Sequence, residues 1–191
     1  MVIRKLTEIA EVASPLTFRG NSEVSEYGNV RLLAIKDLIA MNPFNADLLP
    51  LVQAAKPSSR ISIAANDILM PARGQNYPAR IVGEVTETIL PTGQIHVIRP
   101  HSVDPNYLVW FLNRKPTQEQ FSSQLTGSTI QSLKKSDLER LEVEVPSMEI
   151  QKIIGELTFL KLLRDIARRE LHELESQELD ELCASIARKE N

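Results

Sequence analysis

The chain has 191 residues, 42% of them apolar, with one cysteine and a formal net charge of -3. That length accommodates one compact domain, or one domain with an extension, and the composition supports a packed core. An internal disulfide is excluded, no stretch approaches the ~20 apolar residues of a membrane span, and binding nucleic acid by bulk charge is disfavoured.

The opening residues Met1 to Leu6 lack the apolar core of a secretory signal, which with a lone thiol sets the expectation of a reducing cytoplasm. Leu6 to Val12 reads as a short helix passing into a strand, with Thr7 as N-cap. Val30 to Ile35, Arg80 to Val85 and Gln94 to Arg99 read as strands. Ile61 to Ala64 and Asp67 to Met70 read as short strands flanking a turn at Ala65-Asn66. Turn signals stand at Tyr27-Gly28-Asn29, Arg73-Gly74-Gln75-Asn76 and Pro91-Thr92-Gly93. Pro105 to Asn113 is a helix capped by Asp104, and Thr117 to Leu125 a second. Ser136 caps a short turn over Asp137 to Arg140, and Leu141 to Val145 alternates apolar and acidic residues as a half-buried strand does.

After Pro146 the pattern changes. From Ser147 to about Lys189 there is no proline and one glycine, Gly155. Ile150, Ile153, Leu157 and Leu160 follow three-and-four spacing, as do Leu171, Leu174, Glu178, Leu182 and Ile186 further on, with Glu178 the one polar interruption. A helix over this stretch is roughly 60 Å long. So long an apolar stripe needs a second helix, from a partner or another copy, rather than its own small domain. Cys183 falls on the apolar side, as small core filler. From Ser147 onward there are 7 Lys+Arg and 10 Asp+Glu, leaving 15 of each before it. The negative excess therefore sits in the helix, and the front domain is neutral.

The run Gly127-Ser128-Thr129-Ile130-Gln131-Ser132-Leu133, then Asp137-Leu138, Leu141, Val143-Glu144-Val145-Pro146, Gln151 and Ile153-Ile154, resembles the end of a target-recognition domain in specificity subunits of type I restriction-modification enzymes. Leu6 to Val12, Tyr27 to Leu38, Asn66 to Gly74 and Pro105 to Leu108 are similar to earlier segments of that family, in order. Asn66 stands where the family usually has glycine, at a turn that tolerates positive φ.

The resemblance implies an α+β (mixed α/β) target-recognition domain over residues 1–146 and a conserved spacer helix over 147–191 that pairs as an antiparallel coiled coil. Family members usually hold two such domains and two helices; this chain holds one of each, and no internal repeat hides a second. The implied protein is non-catalytic, needs no cofactor or metal, reads one half of a split site in double-stranded DNA, docks methyltransferase subunits and possibly the restriction subunit, and dimerises through its helix.

Base edges are read best by Arg, Lys, Asn and Gln. Arg73, Gln75, Asn76 and Tyr77, followed by Arg80, form the first candidate for base reading; Arg19, Asn21, Lys56 and Arg60 are further candidates for base or phosphate contact. Lys134 and Lys135 could touch phosphate or be a solvated face. Asn42-Pro43-Phe44 matches part of an amino-methyltransferase motif but lacks its second proline and a Gly-rich cofactor loop. The histidines, His96, His101 and His172, do not stand at metal-ligand spacings. Tyr107, Trp110 and Phe111 read as packing against a sheet. A competing reading from another class is an S-like adaptor or anti-restriction protein that binds the methyltransferase through its helix without reading DNA, which the net charge of -3 favours.

Overall fold

A computed structural model describes residues 1–13, 27–41, 43–53, 62–123 and 132–189. Two compact units are present, Met1–Gly155 and Glu156–Asn191. The first contains strands β1 (Val2–Lys5), β2 (Ala10–Ala13), β3 (Val30–Leu33), β4 (Leu51–Val52), β5 (Ile68–Pro71), β6 (Arg80–Ile81), β7 (Ile89–Pro91), β8 (Ile95–Pro100) and β9 (Glu142–Val145). Its helices are α1 (Leu6–Ile9), α2 (Ile35–Ala40), α3 (Pro105–Asn113), α4 (Lys115–Ser123) and α5 (Lys135–Glu139), with a 3-10 turn at Ala46–Leu48. Helix α6 (Met148–Lys189) starts in the first unit and makes up the second.

The central sheet is antiparallel, in the order β2-β8-β5-β6. Successive strand residues point to opposite faces, and here both faces are covered. Ile68, Met70 and Ile98 enter one core with Leu6, Tyr107, Leu108, Phe111, Leu138 and Val143. Leu69, Ile95 and Val97 enter the other with Leu33, Leu38, Leu49 and Ile89. That is why β5, Ile68-Leu69-Met70-Pro71, reads as an unbroken apolar run rather than an alternating one. A second sheet, β4-β3-β7, pairs β3 with β7 in parallel, and β1 pairs antiparallel with β9.

Most predicted elements form, with boundaries moved for local reasons. The first strand pairing ends at Leu33, not Ile35, because the Asp37 carboxylate accepts the Ala34 N–H at 3.1 Å and starts α2. Arg80 to Val85 is strand only over Arg80–Ile81. Its partner β5 begins at Ile68, after a turn in which Asn66 takes φ 67°, and Val82 instead donates to the Asp67 carbonyl. Residues 62–64 form no strand, and Ile61 lies outside the described residues. Thr7 falls inside α1, whose N-cap position is Lys5. Ser136 likewise falls inside α5, where Asp137 accepts the Lys134 N–H. Helix α4 starts at Lys115, with Pro116 in its first turn. Helix α3 has the predicted bounds, and Asp104 Oδ1 accepts the Tyr107 N–H at 3.0 Å.

Helix α6 is one element of 42 residues, about 63 Å at 1.5 Å per residue. In its first two turns Gln151 and Gly155 are buried and Ile154 packs on the first core, while Ile150 and Ile153 are exposed. In the second unit Leu157, Leu160, Leu171, Leu174, Leu182 and Ile186 are all exposed. Cys183 is exposed as well. No helix among the described residues is long and apolar enough to cross a membrane.

Candidate nucleic-acid interface

The loop from Arg73 to Ala79 joins β5 to β6 and is fixed at both ends. At its start, Leu133 N–H donates to the Ala72 carbonyl at 3.0 Å, the Ser132 hydroxyl reaches the same carbonyl at 3.3 Å, and Arg73 forms an antiparallel bridge with Ser132. Buried His96 reaches the Leu133 carbonyl through Nε2 at 2.7 Å. Burial pushes the His96 imidazole below its usual range, and the Leu133 carbonyl bond opposes that in part. The neutral ring thus donates from Nε2 and ties β8 to the segment that holds the loop.

At the other end the side chains of α3 and α4 act as backbone substitutes. Asn113 exchanges two hydrogen bonds with Ala79, each 2.9 Å, donating to its carbonyl and accepting its N–H. Gln118 donates to the carbonyls of Tyr77 and Leu112 and accepts the Tyr77 N–H. These amides satisfy strand-like backbone groups that have no neighbouring strand.

Between the anchors Arg73, Gln75 and Asn76 are exposed, and Gly74 adopts φ 130°, which a side chain disfavours. Tyr77 is different. Its ring is fully buried, edge-on to Phe121 at 6.3 Å, and burial raises its hydroxyl above the usual phenol range. It anchors the loop from below, a correction to its reading as a base contact: an aromatic flanked by bonded backbone goes to the core. Arg80 is half-buried, and its Nε donates to the Met41 carbonyl at 3.2 Å. Arg19, Asn21, Lys56 and Arg60 lie outside the described residues. Lys134 is exposed, one residue past the Leu133 anchor.

Sequence reading missed an ion pair at the other end of β5. Asp67 is 1% exposed, and its carboxylate accepts Arg99 Nε at 2.8 Å, Arg99 Nη2 at 2.7 Å and the Ala64 N–H at 2.8 Å. The Asp67 side-chain bonds hold the Arg99 guanidinium further above its usual value. The available signal was an aspartate opening an apolar strand, a place where a charge needs a partner. Among the described residues, no three His, Cys, Asp or Glu side chains gather as a metal site.

A family model for the type I restriction modification DNA specificity domain matches residues 1–176, across the sheet domain and well into α6. The chain belongs to that family. Type I specificity domains are recognition modules, not catalysts. The HsdS subunit from Thermoanaerobacter tengcongensis superposes with a TM-score of 0.62 at 16% identity, covering 87% of this chain and 38% of that one. A chain from a structure of type I R-M system assembly and conformational transition gives 0.68 at 17% identity, covering 95% and 43%. The type I S subunit from M. genitalium gives 0.57 at 15%, covering 87% and 41%. This specificity-domain chain therefore spans less than half the length of those relatives. No curated protein sequence matches it.

Proposed function

We propose that the chain is a non-catalytic DNA sequence-specificity subunit that reads one half of a split site and docks methyltransferase subunits through α6. The match of the specificity-domain model over residues 1–176 carries this reading, because it spans the sheet domain and most of the helix. The loop supports it. Arg73, Gln75 and Asn76 are exposed donors and acceptors of the kinds that pair with guanine and adenine edges. Their backbone is held at both ends, which spares the ordering cost of binding. Lys134, and Arg19, Asn21, Lys56 and Arg60, are proposed as supporting contacts to phosphate or base.

In this proposal two copies pair their helices antiparallel, burying Ile150, Ile153, Leu157, Leu160, Leu171, Leu174, Leu182 and Ile186. Two identical readers then demand a palindromic split site. The exposed apolar side chains support pairing, since a monomer rarely leaves so much contiguous apolar surface in water. The protein works in the cytoplasm, on host DNA.

Co-expression with an adenine methyltransferase of a type I system, followed by mapping of methylated bases, tests the reading. The expected result is a split palindromic motif that disappears when the chain is deleted. A methylome unchanged by deletion refutes DNA reading and favours the adaptor, to which the net charge of -3 lends weight. A double Arg73→Ala, Gln75→Ala variant is expected to erase or relax the motif.

A further inference from the structure

Glycine is a poorer helix former than any residue but proline, so the single glycine of α6 needs a reason. At Gly155 an added Cβ would meet Asp104 Oδ1 at 2.9 Å and Asn106 Cβ at 3.0 Å. The helix thus touches the start of α3 with no room for a methyl group. One turn earlier, Gln151 is 2% exposed and uses both ends of its amide. Its Oε1 accepts the Asp104 N–H at 2.9 Å and its Nε2 donates to the Pro146 carbonyl at 2.9 Å. A backbone donor on one side and a backbone acceptor on the other leave the amide one orientation. Asp104 caps α3, and the Tyr107 hydroxyl of α3 donates to the Glu144 carbonyl of β9. Three elements, α3, β9 and the first two turns of α6, are therefore locked together at one point.

We propose that Gln151 and Gly155 form a weld that sets the spacing between the two half-sites; this rests on the split-site reading given above. A domain of this size has a radius of gyration of about 15 Å, which puts its DNA face on the order of 20 Å from the weld. A swing of about 10° moves that face by about 3.5 Å, one base-pair step of duplex. In a dimer the two swings add, so about 5° at each weld suffices. Spacing is thus more sensitive to this contact than base reading is, because the loop at Arg73 is anchored by Ser132, Leu133, Asn113 and Gln118 and not by α6.

Gln151→Ala and Gly155→Ala are the test variants, and Ile98→Val, a core change away from the weld, is the control. Full-length protein with its methyltransferase is assayed on duplexes carrying the mapped motif, with the spacer lengthened or shortened by one and two base pairs. The weld variants are expected to lose at least tenfold of the discrimination between spacers, or to prefer a different one, while the penalty for a single mismatch within a half-site is unchanged. Ile98→Val retains wild-type spacer discrimination. Separately, spin labels on Cys183 and on Lys115→Cys, diluted with unlabelled chain, report the distance distribution without DNA. It is expected to broaden in both weld variants and not in the control. Unchanged spacer discrimination in folded Gln151→Ala and Gly155→Ala overturns the proposal, whatever the label distances do. If the wild type directs no split motif, the functional reading falls and the spacing role with it; broadened label distances would then show only that the weld is mechanical.

Discussion

Replacing Asp67 with alanine probes the joint where the turn at Asn66 meets the central sheet. Its buried carboxylate takes two hydrogen bonds from Arg99 and one from the Ala64 N–H, all between 2.7 and 2.8 Å. A hydrogen bond to a charged group contributes about 1.5–3 kcal/mol. The Arg99 side chain is 40% exposed, however, so water re-solvates the guanidinium once its partner is gone. Its two bonds together are therefore taken as about 2 kcal/mol, and the Ala64 bond as about 1 kcal/mol. A loss of about 3 kcal/mol corresponds to a Tm lowered by roughly 6–12 °C for a domain of this size. Urea denaturation of the wild type, Asp67→Ala, Arg99→Met and the double variant closes a cycle, with an expected coupling of about 1.5–2 kcal/mol. A loss below about 1 kcal/mol for Asp67→Ala, or a coupling near zero, would show that the pair is ornamental and the argument from burial wrong.

His96 gives a pH signature. Its folded-state pKa lies below the unfolded value of about 6.5, so its contribution is complete above that pH and is lost as pH falls, because the unfolded chain binds the proton first. The stability gap between wild type and His96→Leu, read from urea midpoints, should therefore be smaller at pH 5.5 than at pH 7.5; equal gaps would contradict the assigned neutral ring. Gly74→Ala, at φ 130°, is expected to cost more than about 1 kcal/mol and to weaken DNA binding, measurable by calorimetry and a binding titration. Arg73→Ala should weaken binding to the mapped motif by about 1–3 kcal/mol with relaxed preference at one base, whereas Lys134→Ala should weaken all sequences alike and flatten the salt dependence. Leu157→Glu with Leu160→Glu should convert a dimer to a monomer in light scattering; a dimer that persists would locate the contact elsewhere.

Much of the fold was legible because its signals are local. Asp104 followed by Pro105 marks a helix start wherever it occurs, and α3 begins there. The lack of proline after Pro146 leaves nothing to stop a helix before Lys189. The positive φ at Asn66 follows from a side chain that tolerates it. The candidate loop at Arg73 to Asn76 was also visible, since turn residues and side chains of the kinds that can pair with base edges coincide there.

What the sequence could not supply were the pairings across distance. Tyr77 and Asn76 are neighbours of similar reading, yet one is buried on Phe121 and the other exposed. Asp67 and Arg99 find each other across the sheet. In α6 the apolar spacing marks Ile150 and Ile153 for a partner helix; it gives no sign that a second face, with Gln151, Ile154 and Gly155, meets the domain. Periodicity counts apolar residues along one helix; which face is covered depends on what stands opposite, and the start of α3 offers a backbone N–H and no room for a side chain. By itself the sequence determined most of the elements, the turn chemistry and a long helix with an apolar stripe. Only the tertiary structure decided which polar groups close on one another, because a hydrogen bond depends on two positions and their aim, and a linear pattern records one.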